Sequence, residues 1–192
     1  MISALDVKSE FKRRLDAAGL WDSLDLRESQ FLDLPPRVFV ELVVFDAGVL
    51  GKIADVASDV RLTHPEEEID IVVRAHWQVA EVEYAGPAIG LSGGMRGAER
   101  FDVKISSGSV TQEVSVDVTL DATSLLKSRL ETTNVDPLKH RRIVADLVRG
   151  YLELHLSQGG TSYWDPVRSP HLDLNAAAAE YMIEHQLFKV GA

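Results

Sequence analysis

The stretch from Ile69 to Tyr84 alternates apolar and polar side chains and then changes phase. Ile69, Ile71, Val73, Ala75, Trp77 and Val79 occupy odd positions, whereas Ala80, Val82 and Tyr84 occupy even ones. A two-residue period marks a half-buried strand. Such a strand cannot change phase without a bulge or a bend, because a one-residue slip sends every side chain to the other face. The pattern therefore predicts extended chain with an irregularity near Val79-Ala80. Further on, Phe101, Val103 and Ile105 alternate with Asp102, Lys104 and Ser106, and Ser107-Gly108-Ser109 predicts a hairpin connection. Val114, Val116, Val118 and Leu120 then alternate with Glu113, Ser115, Asp117 and Thr119. The polar set predicts an antiparallel pair with one face open to water. Arg37 to Phe45 is apolar on both faces except at Glu41, which suits a central strand.

Helical signals flank these strands. Ser3 and Asp6 have the spacing of a capping box, Leu5, Phe11, Leu15 and Ala18 follow near helical spacing, and Gly19 stands where a left-handed cap is wanted. Pro35-Pro36 closes an irregular stretch. Residues 48–62 read as a helix, although Val60 and Leu62 could begin a strand, and His64 to Glu68 read as a turn. Gly86 to Gly97 reads as a loop, and Ala122 to Glu131 as a short helix. Asp136-Pro137 opens a long helix whose stripe runs through Ile143, Val144, Leu147, Val148, Tyr151 and Leu152. A last helix spans residues 173–188, with Asp173 as its cap. The organisation expected is one α+β domain over residues 1–192: an N-terminal helix at 4–18, a mostly antiparallel sheet of about four strands within 37–121, and three helices within 122–188.

Charge and composition narrow the function. The sum of 20 basic and 30 acidic side chains gives a net charge of −10, which repels a phosphate backbone and disfavours nucleic acid as a partner. The sequence has no cysteine, which removes disulfides, thiolate metal sites and cysteine nucleophiles. The longest apolar stretches fall short of the roughly 18 residues of a membrane helix. The first residues carry charges where a signal peptide needs an apolar core. The expected compartment is the cytoplasm, with no membrane association.

Few residues point to chemistry. Gly90-Leu91-Ser92-Gly93-Gly94 has the G-x-S-x-G form of a nucleophile elbow, which would make Ser92 a nucleophile. A strand follows where the elbow needs a helix, so a glycine-rich connector is the better reading. Asp102-Val103-Lys104 has the D-x-K form used by metal-dependent nucleases, with Glu81 and Glu83 as upstream carboxylates. Pairing of Lys104 with Glu113 or Asp117 across the sheet is the better reading, since alternating opposite charges are common on a solvated strand face. None of the six histidines (His64, His76, His140, His155, His171, His185) has zinc-binding spacing. His171-Leu172-Asp173 could place two ligands on one side of an extended segment, but Asp173 serves better as a helix cap. His155 reads as a packed core histidine. The basic run Lys139-His140-Arg141-Arg142 lies in the first turns of its helix, against the dipole, a weak pointer to an anionic partner. No cofactor or metal site is expected. Trp164, Tyr181, Leu187 and Phe188 concentrate apolar surface near the C-terminal end, either for docking on their own core or for a subunit interface.

Two family resemblances add to this. Arg141-Arg142-Ile143-Val144-Ala145-Asp146-Leu147-Val148 resembles the helix that follows the antiparallel strands of the export chaperone SecB. That resemblance implies an oligomer holding unfolded polypeptide in grooves. Leu174-Asn175-Ala176-Ala177-Ala178-Ala179 is similar to the motif opening a C-terminal helix of ubiquitin-conjugating enzymes. In a chain without cysteine it implies an inactive, partner-binding variant. With every chemical motif out of its proper context, the sequence is expected to encode a non-catalytic interaction protein, oligomeric or bound to a protein partner. The alternative is a small metal-dependent nuclease or hydrolase using Asp102, Lys104 or Ser92.

Overall fold

The computed structural model describes residues 2–88, 99–129, 136–157, 166 and 169–187. They form an α+β protein with mostly antiparallel strands, the class expected from the periodicities. The strands fall into two sheets, and the chain divides into two compact units. The first comprises Met1–Trp77 with the turn Ser107–Val110; the second comprises Gln78–Ser106 and Thr111–Ala192.

The first unit opens with α1 (Ala4–Ala17). Its N-terminus is a complete capping box: the Asp6 N–H donates to Ser3 Oγ at 3.1 Å, and the Ser3 N–H donates to Asp6 Oδ2 at 3.3 Å. The Ser3 hydroxyl, which donates to Asp6 Oδ2 at 2.6 Å, and the Ser3 N–H hold the Asp6 carboxyl below its ordinary pKa. One more orphan donor, the Ala4 N–H, reaches Asp33 Oδ1 at 2.7 Å. At the other end Gly19 takes φ +66°, and the Gly19 and Leu20 N–H groups donate to the Asp16 and Leu15 carbonyls, which is a Schellman closure. The strands β1 (Gln30–Leu34), β2 (Arg37–Val44) and β3 (Ile69–Ala75) lie in the order β1-β2-β3. β1 pairs antiparallel with β2, and β2 pairs parallel with β3 through α2 (Leu50–Thr63). The helical reading of residues 48–62 thus holds.

Residues 30–34, read as irregular, are the strand β1. Four of its five residues are exposed, so it carries no apolar alternation to betray it. Alternation does sort the faces of β2 and β3. Val38, Val40, Leu42 and Val44 are buried on the face that also carries Phe31, whose ring meets Phe11 of α1 edge-on at 6.2 Å. α1 packs in turn on α2, which buries Ile53, Ala57 and Val60.

The second unit has the sheet order β4-β5-β6-β7, with β4 (Gln78–Pro87), β5 (Glu99–Ser107), β6 (Val110–Val118) and β7 (His171–Leu174). The register of β4 on β5 shifts between Val79 and Glu81, where the phase change demanded it. Its helices are α3 (Leu120–Arg129), α4 (Pro137–Ser157) and α5 (Ala176–Glu184). Phe101, Val103, Ile105, Val116 and Val118 of the sheet and Val144, Leu147, Val148 and Leu152 of α4 are buried.

One expectation fails here. Asp173 is not a helix cap: it lies on β7, which pairs parallel with β6, and the cap of α5 is Asn175, whose side chain accepts from the Ala178 N–H at 3.0 Å. A four-residue strand is too short to show a period, and Asp and Asn compete for the same capping role.

The turn between β5 and β6 yields a test. Gly108 has φ +58°, and a Cβ there would stand 2.4 Å from the Asp46 Cβ. Asp46 itself accepts from the Gly48 N–H at 2.8 Å and from Ser109 Oγ at 3.0 Å. Gly108→Ala is expected to destabilise the protein by about 1–3 kcal/mol, read as a lower urea midpoint, whereas Gly51→Ala, which meets nothing within 4 Å, should not destabilise it.

Candidate functional site

Each unit gathers one polar centre. In the first unit it lies at the carboxyl ends of the parallel strands β2 and β3, the position where open α/β sheets hold ligands. Glu41 and Arg74, only 2% and 5% exposed, pair at 2.8 Å through Arg74 Nε. The outer side of the guanidinium faces Glu28, whose Oε2 is 3.5 Å from both terminal nitrogens. The other oxygen of Glu28 is 3.4 Å from His76 Nδ1, and Asp25 Oδ2 is 3.9 Å from the same nitrogen. Asp25 is positioned by its second oxygen, which accepts from the Arg27 N–H at 3.0 Å. His76 is placed by its own N–H, donated to the Val44 carbonyl.

The second unit builds its centre on the solvent side of β5, β6 and β7. The parallel register sets Ser115 opposite His171 and Asp117 opposite Asp173. Ser115 Oγ is 3.0 Å from His171 Nδ1, and His171 Nε2 is 3.2 Å from Asp173 Oδ1 and 3.8 Å from Asp117 Oδ2. Arg100 grips Asp117 through two bonds of 2.7 and 2.9 Å, and this bonding raises the Arg100 pKa. Among the described residues, Asp25, Glu28 and His76 form one set of donor atoms close enough to share a cation, and Asp117, His171 and Asp173 form another. The extended placement of His171 and Asp173 is thus realised. Ser115 and Asp117 showed in the sequence only as polar positions of a strand, because their partners on β7 lie more than fifty residues away and only register brings them together, and Arg100 showed no signal of its pairing with Asp117 on the neighbouring strand.

The sequence-derived candidates are dispersed. Lys104 pairs with Glu81 of β4 at 2.8 Å, not with Glu113 or Asp117 as the sequence suggested, because Asp117 is taken by Arg100. That bond raises the Lys104 pKa and lowers that of Glu81. Asp102 lies opposite Glu83 on the same exposed sheet face. Ser92, Trp164 and Phe188 lie outside the described residues. Tyr181 is exposed and stacks on His185 with ring centroids 4.1 Å apart, and Leu187 is exposed. The apolar side chains of the SecB-like segment, Ile143, Val144, Leu147 and Val148, are buried.

A buried histidine completes the picture. His140, in the first turn of α4, is 7% exposed, and neither ring nitrogen has a hydrogen-bond partner; one carboxylate oxygen of Glu99 is orphaned in the same way. Burial lowers the His140 pKa, opposed by Glu99 and reinforced by Lys127. Burial lowers that of His155 as well, whose ring meets Tyr151 edge-on.

Two predictions follow from these groups. Arg74→Met strands the Glu41 charge in the interior and should cost about 3–5 kcal/mol. The double substitution Glu41→Leu with Arg74→Met should recover most of that loss in urea unfolding. Folded His140 and His155 take up protons less readily than the unfolded chain. Their contribution is whole above the ordinary imidazole value of 6.5 and is lost as pH falls through the lowered folded values. The melting temperature should therefore drop between pH 7.5 and 5.5, and His140→Phe should flatten that slope.

No protein-family model, no curated protein and no solved structure matches this chain.

Proposed function

We propose that this chain is an interaction protein that associates with a second copy of itself through the helix-free face of the first unit's sheet. The observation that carries the reading is the side-chain set on that face. Register places Leu32 beside Phe39 and Leu34 beside Arg37, with Val72 one row along on β3. Leu32, Leu34 and Val72 are 41%, 43% and 42% exposed, and Phe39 is half-buried. Contiguous apolar side chains facing water are costly unless a partner covers them. The exposed β1 also forms an edge of the sheet, and edge strands invite pairing with another chain. A two-fold axis parallel to the sheet and over this face brings the same face of both copies together, the commonest geometry of soluble oligomers. The Arg37–Asp70 pair, at 2.7 Å, lies on that face and supplies a polar rim.

Several features support a protein partner over others. The charge of −10 disfavours nucleic acid, and no helix among the described residues is long and apolar enough to cross a membrane. Exposed Tyr181 and Leu187 supply a second, smaller apolar surface in the other unit. The cytoplasm is the proposed compartment, supported by the lack of cysteine.

Light scattering on a sizing column tests the proposal. The wild-type chain is expected to run as a dimer, and Leu32→Glu with Val72→Glu as a monomer with an unchanged circular dichroism spectrum. A wild-type monomer would overturn the reading, together with the chaperone-like oligomer that the SecB resemblance implies.

A further inference from the structure

We propose that Ser115 is an activated nucleophile, with His171 as its general base and Asp173 as the group that orients the imidazole, and that this centre cleaves small, activated acyl esters. The proposal concerns the second unit alone and does not depend on self-association of the first.

The protonation pattern follows by elimination. An ionised carboxylate only accepts hydrogen bonds, so the 3.2 Å contact between Asp173 Oδ1 and His171 Nε2 requires the ring proton on Nε2. In the neutral ring Nδ1 is then a pure acceptor. The atom facing it, 3.0 Å away, is Ser115 Oγ, which must donate. The hydroxyl proton is thereby aimed at a base within transfer distance, and that base is held in the correct tautomer by a third group. Serine nucleophiles are recognised by this arrangement of roles, irrespective of fold or chain order.

Two further features suit the reaction. Proton transfer converts His171 to a cation, and Asp117 Oδ2, 3.8 Å from Nε2, adds a second negative charge beside it. Arg100 holds Asp117 by both oxygens, so that carboxylate stays in place. Access is open: His171 and Asp173 are exposed and Ser115 is half-buried on the same sheet face. A centre on an open strand face encloses little of its substrate, which points to small esters with good leaving groups.

The step balances. Ser115 Oγ bonds to the acyl carbon while its proton passes to His171 Nδ1. The bond from acyl carbon to alcohol oxygen breaks, and the departing alcohol takes the proton. Water then attacks the acyl-serine by the same route, giving the carboxylic acid and free Ser115.

The full chain would be treated with a fluorophosphonate probe and, separately, with p-nitrophenyl acetate, with adducts located by intact-mass and peptide mass spectrometry. One adduct on Ser115 is expected, with none on Ser115→Ala. His171→Ala and Asp173→Asn should lower the esterase rate by about 10²–10⁴-fold and by a smaller factor, respectively. Circular dichroism of each variant checks the fold, and Thr111→Ala, on the same strand, serves as the control that should leave the rate unchanged. A folded wild-type chain that neither reacts with the probe nor turns over ester would overturn the proposal. So would turnover that survives Ser115→Ala, since that would make His171 or another group the nucleophile.

Discussion

A strand residue can point in only two directions, and in each sheet of this protein the helices take one of them. Phe31, Val40 and Leu42 face α1 and α2 in the first unit, and Phe101, Val103 and Val116 are buried in the second. The remaining direction is left for polar side chains or for a partner. Both outcomes occur. The free face of the three-stranded sheet carries Leu32, Phe39 and Val72 at one end and the buried Glu41–Arg74 pair at the other. The free face of the four-stranded sheet is polar from Glu81 on β4 to Asp173 on β7.

The two centres differ in their electrostatics. In the first unit Arg74 pairs with both Glu41 and Glu28, and Glu28 and Asp25 flank His76. Taking an ion pair out of water costs several kcal/mol per charge unless geometry and hydrogen bonds compensate. Arg74 lies between two carboxylates and is well placed for that compensation. In the second unit Asp117 is buried while Arg100 keeps contact with water, and their two bonds fix the carboxylate beside His171. His171 is held between Ser115 and Asp173 by direct bonds, whereas neither ring nitrogen of buried His140 has a hydrogen-bond partner among the described residues. One histidine is oriented for proton transfer, and the other resists charging.

Much of this architecture was legible in the residues. Ser3, Asp6 and Gly19 announced both ends of α1, and the phase change after Val79 announced the irregularity in β4. Pro137 marked the start of α4. These signals are local: a cap or a period is complete within a turn or a few strand residues. β1 and β7 escaped notice because exposure erases alternation in the first and length erases it in the second. Lys104 was assigned to the wrong neighbour because alternation shows which face a charge occupies but not which adjacent strand offers the counter-charge.

By itself the sequence determined the α+β class, both ends of α1 and the start of α4, the polar face of the β5–β6 hairpin and the absence of thiol chemistry. Each rests on side-chain type, backbone propensity or spacing within one element. The tertiary structure alone decided that the strands divide between two sheets, that Arg74 meets Glu41, and that Ser115 meets His171 and Asp173. The reason is parallel pairing, which joins strands distant in the chain: β2 with β3 across a helix, and β6 with β7 across more than fifty residues. No spacing rule records such a register, because it is set by how the buried faces pack and not by the residues that the packing happens to bring together.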